Sequence, residues 1–321
     1  MKCTSSFIAI ALVILSIMLY ACGATPPIPP TETITPTVSL TPVPTSTSTL
    51  TPIPTATSTP EPTPIPGVQV YPLESLGSGI SWLPSDKNNN PMSVYYGFNV
   101  MKPPFNYVLV RQAFAAAVDR ELIAQKALEY NFRNAAPASS LTHPEILGRD
   151  LYNQVGIPFD PSKARELLQQ AGYSDPTSFP PTTLLVSVRG RAAPGAYYQM
   201  AKMIVAMWET NLGVKVTIET AEIPAYRNRF ATDAPHIYQL GWGADYNDPD
   251  NFLKALFHSD SEFNLGHFNS REFDRLVDEA ASRTDPEKRQ LLYIQAEQIL
   301  TEKEVALIPL YHSYVPIPYV Y

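Results

Sequence analysis

The stretch Asp245-Tyr246-Asn247-Asp248-Pro249-Asp250 packs three carboxylates into six residues, a density that could serve a cation or acid–base chemistry. A calcium loop of the EF-hand kind needs oxygen ligands at alternate positions and a glycine at its sixth. Here Pro249 takes a ligand position and Asp250 stands where the glycine must turn. Paired carboxylates can exchange protons with a substrate, but nothing nearby supplies a nucleophile. A local reading is that Asp248 or Pro249 opens a helix over residues 250–257. The histidines, His143, His236, His258, His267 and His312, are scattered. None stands three or four residues from another, so a metal cluster would need the fold to assemble it. Each reads as a surface or satisfied core histidine. Gly-x-Ser-x-Gly, His-Glu-x-x-His, the Walker loop and Gly-x-Gly-x-x-Gly are all absent from the sequence. No catalytic residue, metal site or cofactor is expected, and the chain does not read as an enzyme.

Composition narrows the classes further. The 321 residues carry a formal net charge of −7 and hold no long basic cluster, which argues against a nucleic-acid partner. Cys3 and Cys22 are the only cysteines. The chain from Val68 on therefore has neither disulfide nor thiolate chemistry to offer. The 18 tyrosines and three tryptophans are flat, half-polar side chains that line clefts or fill cores.

The first residues look like an export signal. Lys2 precedes an apolar run from Phe7 to Tyr20, interrupted by Ser16. That is short of the roughly 20 residues that span a bilayer, and fits the core of a signal peptide over 1–21. Leu19-Tyr20-Ala21-Cys22 resembles the bacterial lipobox, apart from the bulky Tyr20. The resemblance implies cleavage before Cys22, a diacylglycerol on its thiol, and attachment to the extracytoplasmic face of the cell membrane. An uncleaved anchor, or cleavage without a lipid, is the alternative. Residues 22–67 then read as anchor and linker. Between Thr25 and Pro66 stand 13 prolines and 14 threonines, with only Glu32 and Glu61 charged. Such a segment buries too little apolar surface to offset its ordering entropy. Proline-rich linkers favour extended chain, here up to roughly 130 Å.

The 254 residues from Val68 on can bury a sizeable core. Strands are expected over 93–99, 183–188, 214–220, 236–241 and 306–311. One long helix is expected over 108–128. Asp160-Pro161 starts a helix with a stripe of Ala164, Leu167, Leu168 and Ala171 that Gly172 ends. Met200, Met203, Ile204, Met207 and Trp208 recur at helical spacing, and Gly213 closes that helix. This methionine stripe reads as core. Ser270 caps a helix facing inward with Phe273, Leu276, Val277 and Ala280. Asp285-Pro286 begins another, with Leu292, Ala296, Ile299 and Leu300 inward. Residues 68–90 have weak periodicity and read as loop. The class is α/β, a mixed sheet flanked by helices.

Five segments together resemble the family 5 extracellular solute-binding proteins, which feed oligopeptides, dipeptides, nickel and some sugars to ABC importers. They are Gly97-Phe98-Asn99 through Lys102-Pro103-Pro104-Phe105 to Ala117-Val118-Asp119-Arg120; Asp160-Pro161-Ser162-Lys163-Ala164 to Ala171-Gly172-Tyr173; Gly241-Trp242-Gly243-Ala244-Asp245-Tyr246 to Leu253; Phe273-Asp274 through Thr284-Asp285-Pro286 to Ala296-Glu297; and Ile308-Pro309-Leu310-Tyr311-His312. The resemblance implies a periplasmic-binding-protein-like (type II) fold, of which 68–321 would be the C-terminal lobe. Full-length members carry well over two hundred residues before the first of these segments, so the N-terminal lobe is expected to be absent. It also implies a small peptide or similar solute, and an ABC permease and ATPase as partners. A separate chain could supply the other lobe. In peptide-binding members Asp245's counterpart meets the α-ammonium and Trp242's packs beside the ligand. Tyr246 is the third candidate, with a structural role as its alternative. For Trp242 and Asp245 the alternatives are a core position at a strand end and a turn cap. Arg111, Asp119 and Asp285 read as helix-surface or capping residues. A surface lipoprotein that does not transport, or a remnant of such a receptor, is the competing reading.

Overall fold

In a computed structural model the described residues are 89–130, 132–148, 155–188 and 195–316, all within one compact unit, Pro72–Tyr321. The signal segment, Cys22, the Pro/Thr-rich linker and nearly all of 68–90 lie outside the described residues.

Six strands form one mixed sheet: β1 Asn89–Phe98, β2 Arg133–Pro137, β3 Thr182–Ser187, β4 Val216–Ala221, β5 Ile237–Gly243 and β6 Leu307–Pro316. Their order is β2-β6-β1-β5-β3-β4. β1 is antiparallel to both β5 and β6, while β3 is parallel to β4 and β5. The carboxyl ends of β3, β4, β5 and β6 therefore share one edge, where β1 also begins.

Alternation along β1 explains the two cores. Met92, Val94, Tyr96 and Phe98 enter one apolar cluster and Tyr95 enters the other. The first cluster is completed by helices α1 Val108–Ala116, α2 Arg120–Glu129, α4 Pro161–Gln170 and α5 Ala196–Leu212. The opposite face is covered by α3 Pro144–Leu147, α7 Leu253–Phe257, α8 Arg271–Ser282 and α9 Pro286–Gln298. A further helix, α6 Ile223–Thr232, lays Phe230 against Tyr238 on that face. Gly97 is required where Tyr238 crosses it, since a Cβ there would lie 2.1 Å from the tyrosine ring. A bulge in the β1–β6 pairing lets Leu310 and Tyr311 enter the same core.

The methionine helix is core as expected: Met200, Ile204 and Trp208 are buried, with Met203 and Met207 packed against the cluster. Other expectations are corrected. The helix expected over 108–128 is two helices. The chain leaves α1 after Ala116, Asp119 turns extended, and its carboxylate accepts the N–H groups of Glu121 and Leu122. A short acidic side chain competes well for free N–H groups at such a start. Arg111, expected on a helix surface or at a cap, is buried, and its guanidinium donates to the carbonyls of Phe105, Glu304 and Val305. Asp285 does cap α9, through the Lys288 N–H. Ser270 precedes α8 without capping it, because its hydroxyl donates to Glu304 instead. In α9 Leu292 packs against the second core as expected, Tyr293 is buried beside it, and a π-turn at 299–303 carries Ile299 and Leu300 inward. β2, α3 and α6 carry no strong pattern. β2 ends on Pro137, which an edge strand tolerates.

Candidate functional site

The segment after β5 lies at the shared edge of carboxyl ends. Trp242 pairs with Ser93 and Gly243 with Met92, and the Ala244 N–H reaches the Pro91 carbonyl at 2.8 Å. There the ladder stops and Asp245, Tyr246 and Asn247 are exposed. Asp248 then accepts the Asp250 N–H at 3.0 Å and starts a 3₁₀ turn, Pro249–Asn251, before α7. The helix expected over 250–257 is thus a 3₁₀ turn followed by a short α-helix, opened by Asp248.

The structure brings the three expected residues together around a fourth, Asn251. Asn251 is 2% exposed. Its Oδ1 accepts the indole N–H of Trp242 at 3.0 Å and the backbone N–H of Asp245 at 3.1 Å. The Asp245 carboxylate takes no hydrogen bond from the described residues, so it caps no turn among them. Trp242 is half-buried, with its ring edge-on to Phe263 at 5.5 Å between centroids. Phe263 is 48% exposed and Tyr246 50%. The Tyr246 hydroxyl lies by Asp250 and Asn251; partial burial, then its hydrogen bond to Asp250, raises its pKa, with Asn251 opposing. Phe263 has no signal in the local motif, because it arrives from the loop before α8.

Asp248 and Asp250 are pushed apart in acidity. Burial raises Asp248, but the Arg289 guanidinium and the Asp250 N–H outweigh it and hold the carboxyl below the usual range. Burial and the neighbouring Asp248 charge raise Asp250. Asp248 is therefore the anchoring charge of the loop.

Beneath this edge Ser93 spans two strands, pairing with Trp242 on β5 and with His312 on β6. Ser93 Oγ lies 2.9 Å from His312 Nδ1, and the His312 ring packs edge-on to His143 at 5.1 Å. Burial, then His143, lowers the His312 pKa well below the ordinary histidine value. Ser93 is 1% exposed and His312 0%, so this serine–histidine pair is a core hydrogen bond out of reach of a substrate. Among the described residues no three His, Cys, Asp or Glu side chains gather as a metal-holding group, and no helix is long and apolar enough to cross a membrane.

An edge of strand carboxyl ends, carrying an exposed carboxylate beside an indole, is the usual place for a ligand in a sheet of this kind. The architecture is that of a periplasmic-binding-protein lobe. The chain belongs to the bacterial extracellular solute-binding proteins, family 5, whose model matches residues 57–264. It is 37% identical over 228 residues to a protein of Escherichia coli K12 named as a probable deoxycholate-binding periplasmic protein, YgiS, covering 69% of this chain and 40% of that one. It is 32% identical over 222 residues to the periplasmic oligopeptide-binding protein OppA of Salmonella typhimurium LT2, covering 68% and 39%. Among solved structures, the periplasmic binding protein DppA of Helicobacter pylori, in complex with the peptide STSA, superimposes with a TM-score of 0.61 at 28% identity. That match covers 72% of this chain and 45% of DppA. The chain thus spans about 40% of the length of the curated relatives it matches. The family consists of solute-binding proteins. Cys22 lies outside the described residues.

Proposed function

We propose that this chain is the lipid-anchored, extracytoplasmic solute-binding component of an ABC importer, and that its ligand is a small peptide. The observation that carries this reading is the exposed Asp245, whose backbone N–H shares the Asn251 oxygen with the Trp242 indole at the carboxyl ends of four strands. An ammonium taken out of water needs a fixed opposite charge, and a charge-assisted N–H···O bond orients the chain end that carries it. Trp242 and Phe263 offer apolar contact and exclude water on one side. Tyr246 borders the same loop. The relatives named for oligopeptides support a peptide, while YgiS, named for deoxycholate, marks a different solute class as the principal rival.

The relatives carry a further length that this chain does not match, and a lobe facing this edge would enclose the solute. On one lobe the ion pair stays wet and resembles an exposed pair, worth roughly 0–1 kcal/mol. Calorimetry of the full chain with a mixed oligopeptide library is therefore expected to show weak binding that tightens when the second lobe is added. Tight binding by this chain alone would contradict the need for another lobe, and no response to any peptide would contradict the ligand class. Membrane attachment through Cys22 is tested separately. Cys22→Ser is expected to leave the chain out of the membrane fraction of expressing cells; a Cys22→Ser chain that still sediments with the membrane would rule out the lipid anchor.

The competing reading is a surface protein of the same family that does not transport. Permease and ATPase genes beside its own would favour import over this.

A further inference from the structure

We infer that Asn251 is the positioning residue of this edge, coupling the indole of Trp242 to the carboxylate-bearing backbone at Asp245. The inference rests on the reading of Trp242 and Asp245 as ligand contacts. Asn251 itself is buried and lies nine residues from Trp242 and six from Asp245.

One atom carries the coupling. The carboxamide oxygen has two lone pairs, and here it receives one side-chain and one backbone donor, at 3.0 Å and 3.1 Å. Both partners are donors, so only an acceptor serves at this place. The indole and the start of the exposed loop are thereby set at one spacing. Trp242 stands one residue before the end of the β1–β5 ladder, and its ring packs against Phe263 and the second core. Asp245 is the first residue past the buried Ala244, so its backbone N–H is the last fixed point before the chain becomes exposed.

Asn251 is in turn fixed from below. Its own N–H donates to the Asp248 carbonyl at 3.2 Å, and Asp248 is held by Arg289 of α9. Tyr246 completes the set, with its hydroxyl by Asp250 and Asn251. The loop's polar contacts thus converge on a buried residue. A half-ångström error in a binding constellation is enough to weaken it.

The inference separates from plain stability in one experiment with two readouts. The chain has three indoles, on Trp82, Trp208 and Trp242. The Trp242 N–H resonance is assigned by its loss in Trp242→Phe. The Trp208 N–H, buried and bonded to the Phe114 carbonyl on the other face of the sheet, reports that the fold is intact. In the ligand-free full chain, Asn251→Ala is expected to move the Trp242 resonance and speed its exchange with water, leaving Trp208 unchanged. Asn251→Asp keeps an acceptor oxygen and is expected to retain the wild-type signal. With trialanine as the probe, Asn251→Ala should weaken binding about tenfold and Asn251→Asp much less. A Trp242 signal unmoved by Asn251→Ala, or trialanine binding that survives it, overturns the inference. If wild type fails to bind trialanine, the peptide reading falls, and the ligand-free indole signal still decides whether Asn251 positions Trp242.

Discussion

Arg289 grips Asp248 with both ends of its guanidinium, Nη1 to Oδ2 at 2.6 Å and Nη2 to Oδ1 at 2.9 Å. The same guanidinium lies 5.0 Å from the Tyr293 ring centroid and donates to the Ala280 carbonyl. Helices α8 and α9 therefore hold the candidate loop from behind. Removing the cation leaves a half-buried carboxylate that keeps the Asp250 N–H and the Tyr293 hydroxyl but no opposite charge. Arg289→Met is expected to destabilise the chain by about 1–3 kcal/mol in urea unfolding. It should also raise the amide exchange of residues 245–251 more than that of β3. Uniform exchange changes across the sheet would count against this role.

Arg111 supports the opposite edge of the sheet. Burial lowers its pKa to about 10, Glu304 opposing, and the group stays charged at neutral pH. Its donors reach three carbonyls in a fixed fork, which a lysine ammonium cannot match. Arg111→Lys is expected to cost about 2–4 kcal/mol, read by urea unfolding. A loss within a few tenths of wild type would mean that water serves those carbonyls equally well.

Much of the fold is legible in the sequence because burial dominates its patterns. The α5 stripe and the inward face of α8 follow helical spacing, and β1 alternates between two cores. Arg111 was misread because a charged residue at helical spacing looks like surface until the chain brings carbonyls from 193 and 194 residues away. The break at Asp119 was missed because the alanine-rich run gives no local reason to stop. At the candidate site, Trp242, Asp245 and Tyr246 are legible as one contiguous motif. The role of Asn251 depends on two donors meeting at one oxygen, which its place in the sequence does not show. Phe263 was invisible, since only the fold places it beside Trp242.

Glu297 gives the core a pH dependence. It is fully buried in the second core, and accepts the Leu141 N–H at 2.9 Å and the Thr142 N–H at 2.7 Å. Burial nevertheless pushes its carboxyl up to about 7 from the ordinary 4.5. Folding thus favours the protonated acid. Its contribution is fully present below about pH 4.5 and is lost as pH rises through about 7, a change on the order of 3 kcal/mol. His312 nearby is held neutral and changes stability in the opposite sense, losing it as pH falls. The difference between wild type and Glu297→Gln isolates the carboxyl. Wild type is expected to lose stability relative to the variant between pH 4.5 and 7, measured by urea unfolding at each pH. Parallel profiles would show that Glu297 titrates normally.

The most direct test of the central claim, that Asp245 receives a peptide's α-ammonium, is an NMR titration of the full chain with trialanine and with N-acetyl-trialanine, which lacks that charge. The free peptide is expected to shift the Asp245 amide and the Trp242 indole, and the acetylated one, like the free peptide on Asp245→Ala, to need up to about fivefold more peptide for the same response. Equal shifts from both peptides, or an undiminished response in Asp245→Ala, would contradict the claim.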